Sequence, residues 1–218
     1  MKKIKGVLWD NDGVLVNTEQ LFYETNREVL LEHGIALTRK QFFDWFLCYS
    51  YGAWHLLQQK GYSEQRIEAL RRERNRRFGE KLAQADNLIN SSVDAVLSDL
   101  WRRVPMGVVT GSFREHFEQS HRDSRLAGYF DFVVWREMYI NEKPEPDSYL
   151  MGLERLGLPA HACLAVEDSP RGLRAANAAG LECIVLRTDL TRGHAFDGAF
   201  CVVDSMDELR TVLASFVA

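Results

Sequence analysis

Long apolar runs are missing from this 218-residue chain, and no stretch approaches the roughly 20 residues that a bilayer-spanning helix needs. Its opening, Met1-Lys2-Lys3-Ile4, enters a strand pattern at once and leaves no room for a secretory apolar segment. A cytoplasmic protein with no membrane partner is expected. An excess of basic residues is missing too. Lys and Arg total 27 against 31 Asp and Glu, a formal charge of -4, so no overall field attracts nucleic acid and a small anionic ligand would need a local site. Cysteine is sparse. Cys48, Cys163, Cys183 and Cys201 are scattered with no C-x-x-C, which argues against zinc and against a disulfide framework. Three of them lie in apolar strand-like runs and suit buried free thiols in a reducing compartment. Repeats and low-complexity segments are also absent. What is present, 46% hydrophobic and 27% charged residues, is ordinary globular composition, enough for one sizeable core plus an insertion.

Short runs rich in Val, Ile and Leu recur at Ile4 to Trp9, Met106 to Val109, Phe130 to Trp135, Cys163 to Val166, Cys183 to Leu186 and Ala199 to Val203. Such runs predict buried parallel strands. Helical patterns at Pro146 to Leu156, Pro170 to Ala179 and Met206 to Phe216 alternate with them, so the fold class is α/β, a doubly wound Rossmann-like parallel sheet. The interval between Gly13 and Pro105 is far longer than a crossover helix requires and carries helical periodicity throughout. It predicts an inserted α-helical cap over 16–86, with 1–15 and 87–218 forming the core. Within that insertion, the run Arg71-Arg72-Glu73-Arg74-Asn75-Arg76-Arg77 reads first as a solvated helix face, with one Arg reaching a substrate phosphate as the alternative. Phe42, Phe43, Trp45, Phe46, Tyr49 and Trp54 read first as the core of the insertion, with pocket lining as the alternative.

Ligands of open α/β sheets bind beyond the carboxyl ends of the strands, so the residues that follow each strand matter most. After the first come Asp10-Asn11-Asp12-Gly13. In extended backbone, side chains two apart share a face, so Asp10 and Asp12 can address one reacting centre before Gly13 turns the chain. Two like charges there call for a cation, and a metal with an incoming phosphate would make them a nucleophile and an acid/base. After the second strand, Thr110-Gly111-Ser112 offers two hydroxyls and an approachable backbone, a set that suits a phosphate. After the third, Lys143 sits in the proline-stiffened segment Asn141-Glu142-Lys143-Pro144-Glu145-Pro146-Asp147. After the fourth, Ser169 as N-cap and Pro170 at the first helical position would leave Glu167 and Asp168 in the crevice as hard oxygen ligands suited to Mg²⁺. Each motif alone has a bland reading as a turn, a cap or a solvated loop. Their conjunction, in order, at four strand ends does not.

This ordered set resembles the haloacid dehalogenase superfamily, in its branch of phosphatases and β-phosphoglucomutase-like proteins with a helical cap. The resemblance implies Asp10 as nucleophile, Asp12 as acid and then base, and Thr110, Gly111 and Lys143 as holders of the transferring phosphoryl group. It also implies Mg²⁺ bound by the Asp10 carboxylate, the Asp12 backbone carbonyl and Asp168, with Glu167 in or near its shell. Asn17-Thr18-Glu19 resembles the hinge segment of sugar-phosphate phosphatases, making Glu19, with Ser112, a candidate for hinge or substrate contact; Asn17 and Gln20 as a helix-start capping pair is the structural alternative. Mutases of the branch usually carry a cap histidine ten positions after the acid/base residue, where this chain has Phe22. Cys48 likewise replaces the glycine usual in the cap loop. A Mg²⁺-dependent phosphatase acting on a small phosphorylated metabolite, with a sugar phosphate as a candidate, is therefore expected, as a monomer or weak dimer. A phosphomutase and a non-catalytic binding protein are the rivals.

Overall fold

The computed structural model describes residues 3–217. Six strands form one parallel sheet: β1 (Gly6–Trp9), β2 (Met106–Val109), β3 (Phe132–Val134), β4 (Cys163–Glu167), β5 (Glu182–Leu186) and β6 (Cys201–Val203), in the order β3-β2-β1-β4-β5-β6. The order reverses at β1, flanked by β2 and β4, which places the topological switch point of this sheet beside Asp10.

Strand alternation sorts the core into two layers. Val7, Trp9, Val108, Leu164, Val166 and Ile184 face α5 (Val93–Leu100) and α9 (Met206–Val217), whereas Leu8, Val109, Ala165, Cys183 and Val185 face α7 (Asp147–Leu156) and α8 (Pro170–Ala178). Both faces are covered, which is why the strands read as unbroken apolar runs. Each fully buried Leu, Ile or Val contributes roughly 1.5–3 kcal/mol by leaving water.

The insertion is helical throughout: α1 (Glu19–Leu31), α2 (Arg39–Phe42) running into a π-helical turn over Phe43–Cys48, α3 (Trp54–Gln59) and α4 (Glu64–Gln84). It has its own core of Leu30, Phe42, Phe46, Trp54, Leu57 and Ile67. Tyr49 departs from expectation: it lies at the cavity mouth, 62% exposed and stacked on Tyr51, because the chain has left the π turn there. The two connections to the sheet run side by side, with Asn17 N donating to Leu88 O and Asn90 N to Leu15 O. The Asn17/Gln20 capping pair does not form. Thr18 occupies the N-cap of α1, and Gln20 donates instead to Glu24. Among the described residues no helix is long and apolar enough to cross a membrane, and the four cysteines form no disulfide.

Candidate active site

The loops beyond β1, β2 and β4, the loop after β3 and the cap enclose a cavity of about 760 Å³ lined by Asp10, Asp12, Gly111, Ser112, Lys143 and Asp168, among others. Lys143 is its electrostatic centre. The ammonium donates to Asp10 Oδ1 at 2.8 Å, to Glu167 Oε1 at 2.7 Å and to the carbonyl of Val109 at 3.0 Å, spending its three protons on three elements. Burial works against its charge, but Asp10 and Glu167 together hold its pKa above the usual lysine value. Tyr149 OH donates to Glu167 Oε1 at 2.7 Å, and Ser169 Oγ and the Asp168 amide donate to Oε2. Both oxygens of Glu167 are thus engaged.

Asp10, Glu167 and Asp168 are buried, and each offers an oxygen within 4.8 Å of the others. Three carboxylates against one ammonium leave the cluster short of positive charge. Burial, then Glu167, raise the pKa of Asp10 to about 7 even with Lys143 pulling the other way. Burial, then the Glu19 carboxyl, raise that of Asp168 well above the carboxylate range. Glu19 is raised as well, chiefly by burial. The Glu19 and Asp168 carboxyls interact, and one buried oxygen of each finds no donor. Such an arrangement wants either a shared proton or a cation. Gly13, at φ +83°, makes the approach possible, because a Cβ there would stand 2.0 Å from Asp168 Oδ2. This buried acidic set fits a metal with hard oxygen preference.

Asp12 lines the same cavity but is held by hydroxyls. Its Oδ1 accepts from Thr18 Oγ1, and its Oδ2 from Ser112 Oγ at 2.7 Å and Thr110 Oγ1 at 3.3 Å. The side chain therefore stands outside the acidic cluster, and any share it has in metal binding falls to its carbonyl. Thr110 Oγ1 also accepts from the Ser112 amide at 2.9 Å, and Gly111 lines the cavity. Ser169 caps α8, accepting from Gly172 N, with Pro170 next, so the helix start points Glu167 and Asp168 at the site as their spacing predicts.

Several site residues escape a reading by motif. Thr18 and Tyr149 are visible only through the carboxylates they hold. Arg171 follows the fourth motif directly and lines the cavity. Of the basic run, Arg72 and Arg76 do form a solvated face paired with Glu68, Glu73 and Glu80, but Arg71 and Arg74 line the cavity, correcting the bland reading for those two. The aromatics divide similarly: Phe42, Phe46 and Trp54 serve the cap core and the cavity wall together.

Residues 7–186 match the family of haloacid dehalogenase-like hydrolases. The chain is 30% identical to protein CbbY of Cereibacter sphaeroides over 94% of both chains. It is 29% identical to the fructose-1-phosphate phosphatase YqaB of Escherichia coli, over 85% of this chain and 98% of that one. The crystal structure of CbbY from Rhodobacter sphaeroides in complex with phosphate superposes with a TM-score of 0.80 at 27% identity, covering 94% of this chain and 96% of that one. With six parallel strands, a helical insertion and these motifs at the strand ends, the chain belongs to the haloacid dehalogenase-like hydrolases, in the branch that holds CbbY, sugar phosphatases and β-phosphoglucomutase-like proteins.

Proposed function

We propose that the protein is a Mg²⁺-dependent phosphomonoesterase that releases inorganic phosphate from a small phosphorylated metabolite of the sugar-phosphate class. The observation that carries this reading is the Lys143 ammonium joining Asp10 to Glu167 at the strand ends, which assembles nucleophile, cation and acidic cluster around one point. A phosphatase relative that acts on fructose 1-phosphate supports the substrate class.

In this reading the Asp10 carboxylate attacks phosphorus, and the bond to the ester oxygen breaks as Asp12 donates a proton to the departing alcohol. Asp12 then takes a proton from the water that attacks the aspartyl phosphate, freeing phosphate and restoring Asp10. The hydroxyls on Asp12 from Thr18, Thr110 and Ser112 hold it beside the nucleophile without neutralising it. Lys143 and the backbone at Gly111 would stabilise charge on the transferring group. Mg²⁺ held by Asp10, Asp168 and the Asp12 carbonyl, with Glu167 beside them, would neutralise the phosphoryl oxygens.

Phe22 favours hydrolysis over mutase chemistry. Its ring lines the cavity and packs on Phe42, Phe46 and Phe78, so nothing at that position can exchange protons with a sugar hydroxyl. Incubation with β-glucose 1-phosphate, a trace of the 1,6-bisphosphate and Mg²⁺ should yield phosphate faster than glucose 6-phosphate, as should a wider panel of sugar phosphates. Chelation should stop turnover, and Asp10→Asn should form no phosphoenzyme. Isomerisation greatly outpacing phosphate release, or full activity in excess chelator, would overturn the reading.

A further inference from the structure

Asn11 stands between the two aspartates of the site, and its side chain is fully buried. Asp10 and Asp12 line the cavity, whereas the Asn11 amide turns to the end of α6 (Arg114–Ser120). There His121, the residue that closes the helix, places Nε2 2.7 Å from Asn11 Oδ1. An amide oxygen carries no proton, so Nε2 is the donor, and Nδ1 is left to accept from Ser124 Oγ at 3.3 Å. Ser124 Oγ in turn accepts from the Leu126 amide. The Phe117 ring lies against the imidazole, with centroids 4.3 Å apart. Burial lowers the pKa of His121 to about 4 while the nearby Asp12 carboxylate resists, so the ring has the neutral form that this pattern needs.

Asn11 Nδ2 is buried with no partner among the described residues. An apolar side chain would fill the same space without leaving a donor unmet, so packing alone does not account for an amide here. What the amide supplies is a grip on the backbone. The Asn11 carbonyl accepts from the amides of Val14, Leu15 and Val16, so the turn after β1 closes on this one residue. Asp10 is held independently, by Val166 O on its amide and by Lys143 on Oδ1. The carboxylate of Asp12 meets only hydroxyls, of Thr18, Thr110 and Ser112, and these can turn with it. Its direction therefore depends on the backbone that Asn11 fixes. Helix α6 meets this loop at both ends: Ser112 just ahead of it donates to Asp12 Oδ2, and His121 just past it donates to Asn11 Oδ1.

We propose that His121, acting through Asn11, is a positioning residue of phosphoryl transfer: it fixes the peptides between Asp10 and Asp12 and so aims the Asp12 proton at the ester oxygen that leaves phosphorus. This rests on the phosphatase reading and adds to it a residue outside the cavity. Because Asp10 has its own supports, the contribution falls on the step in which Asp12 gives up its proton, more than on attack by Asp10 or on binding.

The test reads the proton-dependent step apart from folding. With protein in excess and Mg²⁺ present, one turnover is followed on fructose 1-phosphate and β-glucose 1-phosphate, whose leaving oxygens need a proton, and on p-nitrophenyl phosphate, whose phenolate does not. His121→Phe keeps much of the ring volume and removes the donor. It should slow release from the sugar phosphates about tenfold or more, while p-nitrophenol release and the half-saturating sugar phosphate concentration change less than about threefold. His121→Gln, which can present an N–H at the place of Nε2, should recover most of the loss. Asn11→Leu should cause a similar loss, to which adding His121→Phe contributes little, as for two groups acting as one. Leu213→Ala, a destabilising change under α9, should leave the ratio between the two kinds of leaving group unchanged. Amide exchange followed by mass spectrometry in chelator is independent of turnover: residues 10–16 should exchange faster in His121→Phe, and α9 should not. Equal slowing on both kinds of leaving group, no recovery with glutamine, additive losses or unchanged exchange would each overturn the proposal. If the wild type turns over none of these compounds yet residues 10–16 exchange faster in the variant, the phosphatase reading fails and the hold of His121 on the loop stands.

Discussion

Lys143 shows most directly how one side chain sets the character of the site. It is 4% exposed, and its three hydrogen bonds join the end of β2 to carboxylates at the ends of β1 and β4. Replacing it with methionine keeps much of the volume and removes the charge, leaving Asp10 and Glu167 buried together. Loss of one partner from such a cluster costs about 3–5 kcal/mol. Lys143→Met should be inactive and destabilised by that order, as read from urea unfolding in chelator. The loss should be greater at pH 8 than at pH 6, because buried carboxylates without their cation take up protons in the folded state and resist giving them up as pH rises. An equal loss relative to wild type at the two pH values would mean that Lys143 does not compensate the acidic cluster.

At the scale of the element, α8 carries the site through the geometry of its first turn. Ser169 caps the helix, Pro170 starts it, and Gly172 lies under Glu167, where an added Cβ would stand 1.9 Å from Oε2. Helix propensity alone makes Gly172→Ala favourable by about 1 kcal/mol. Packing reverses the sign. The methyl group would push Glu167 away from Lys143, Tyr149 and Ser169, and overpacking of this kind costs about 1–3 kcal/mol. Gly172→Ala should therefore lower the urea midpoint and reduce kcat, and an unchanged or raised midpoint would show that the Glu167 carboxylate has room to move. The cap is held by contacts between elements as well. Ser50 Oγ donates to Lys143 O, Arg174 donates to Cys48 O, His116 bonds the Asn75 carbonyl, and Arg122 donates to Leu82 O and Ala85 O at the end of α4.

For the whole molecule, stability against acid depends on groups buried away from water. His121 is 6% exposed, with Nε2 at 2.7 Å from Asn11 Oδ1 and Nδ1 at 3.3 Å from Ser124 Oγ. Burial lowers its pKa to about 4. Between about pH 6.5 and 4 the unfolded chain binds a proton at this position that the folded chain does not, so this contribution to stability falls as pH drops through that window. The full effect is about 3 kcal/mol at most. Asp10, Glu19 and Asp168, whose pKa values are raised, act in the opposite direction in metal-free protein, gaining stability on acidification. Their effect is common to wild type and His121→Gln, so the difference between the two isolates the histidine. Urea midpoints at pH 7 and 4.5 in chelator should show His121→Gln losing less stability, or gaining more, than wild type. Identical changes in the two proteins would place the acid sensitivity elsewhere.

The sheet, its parallel sense and the residues at its carboxyl edge were legible in the sequence because each depends on local pattern. Strands buried on both faces show as apolar runs, a Ser-Pro pair marks a helix start, and Asp10, Lys143, Glu167 and Asp168 stand at fixed offsets from strand ends. Tertiary structure alone decided how those groups share their charge. That Lys143 joins Asp10 to Glu167, that Asp12 turns to three hydroxyls, and that Asp168 meets Glu19 all follow from distances across separate elements. The same holds for the cap. Arg74 looks like its neighbours in a charged helical run, because periodicity does not reveal which arginine stays on the solvated face and which is turned by Asn26 and Phe22 toward the cavity. Local pattern specifies elements and their ends; the fate of a charge depends on what the fold brings within a few ångströms of it.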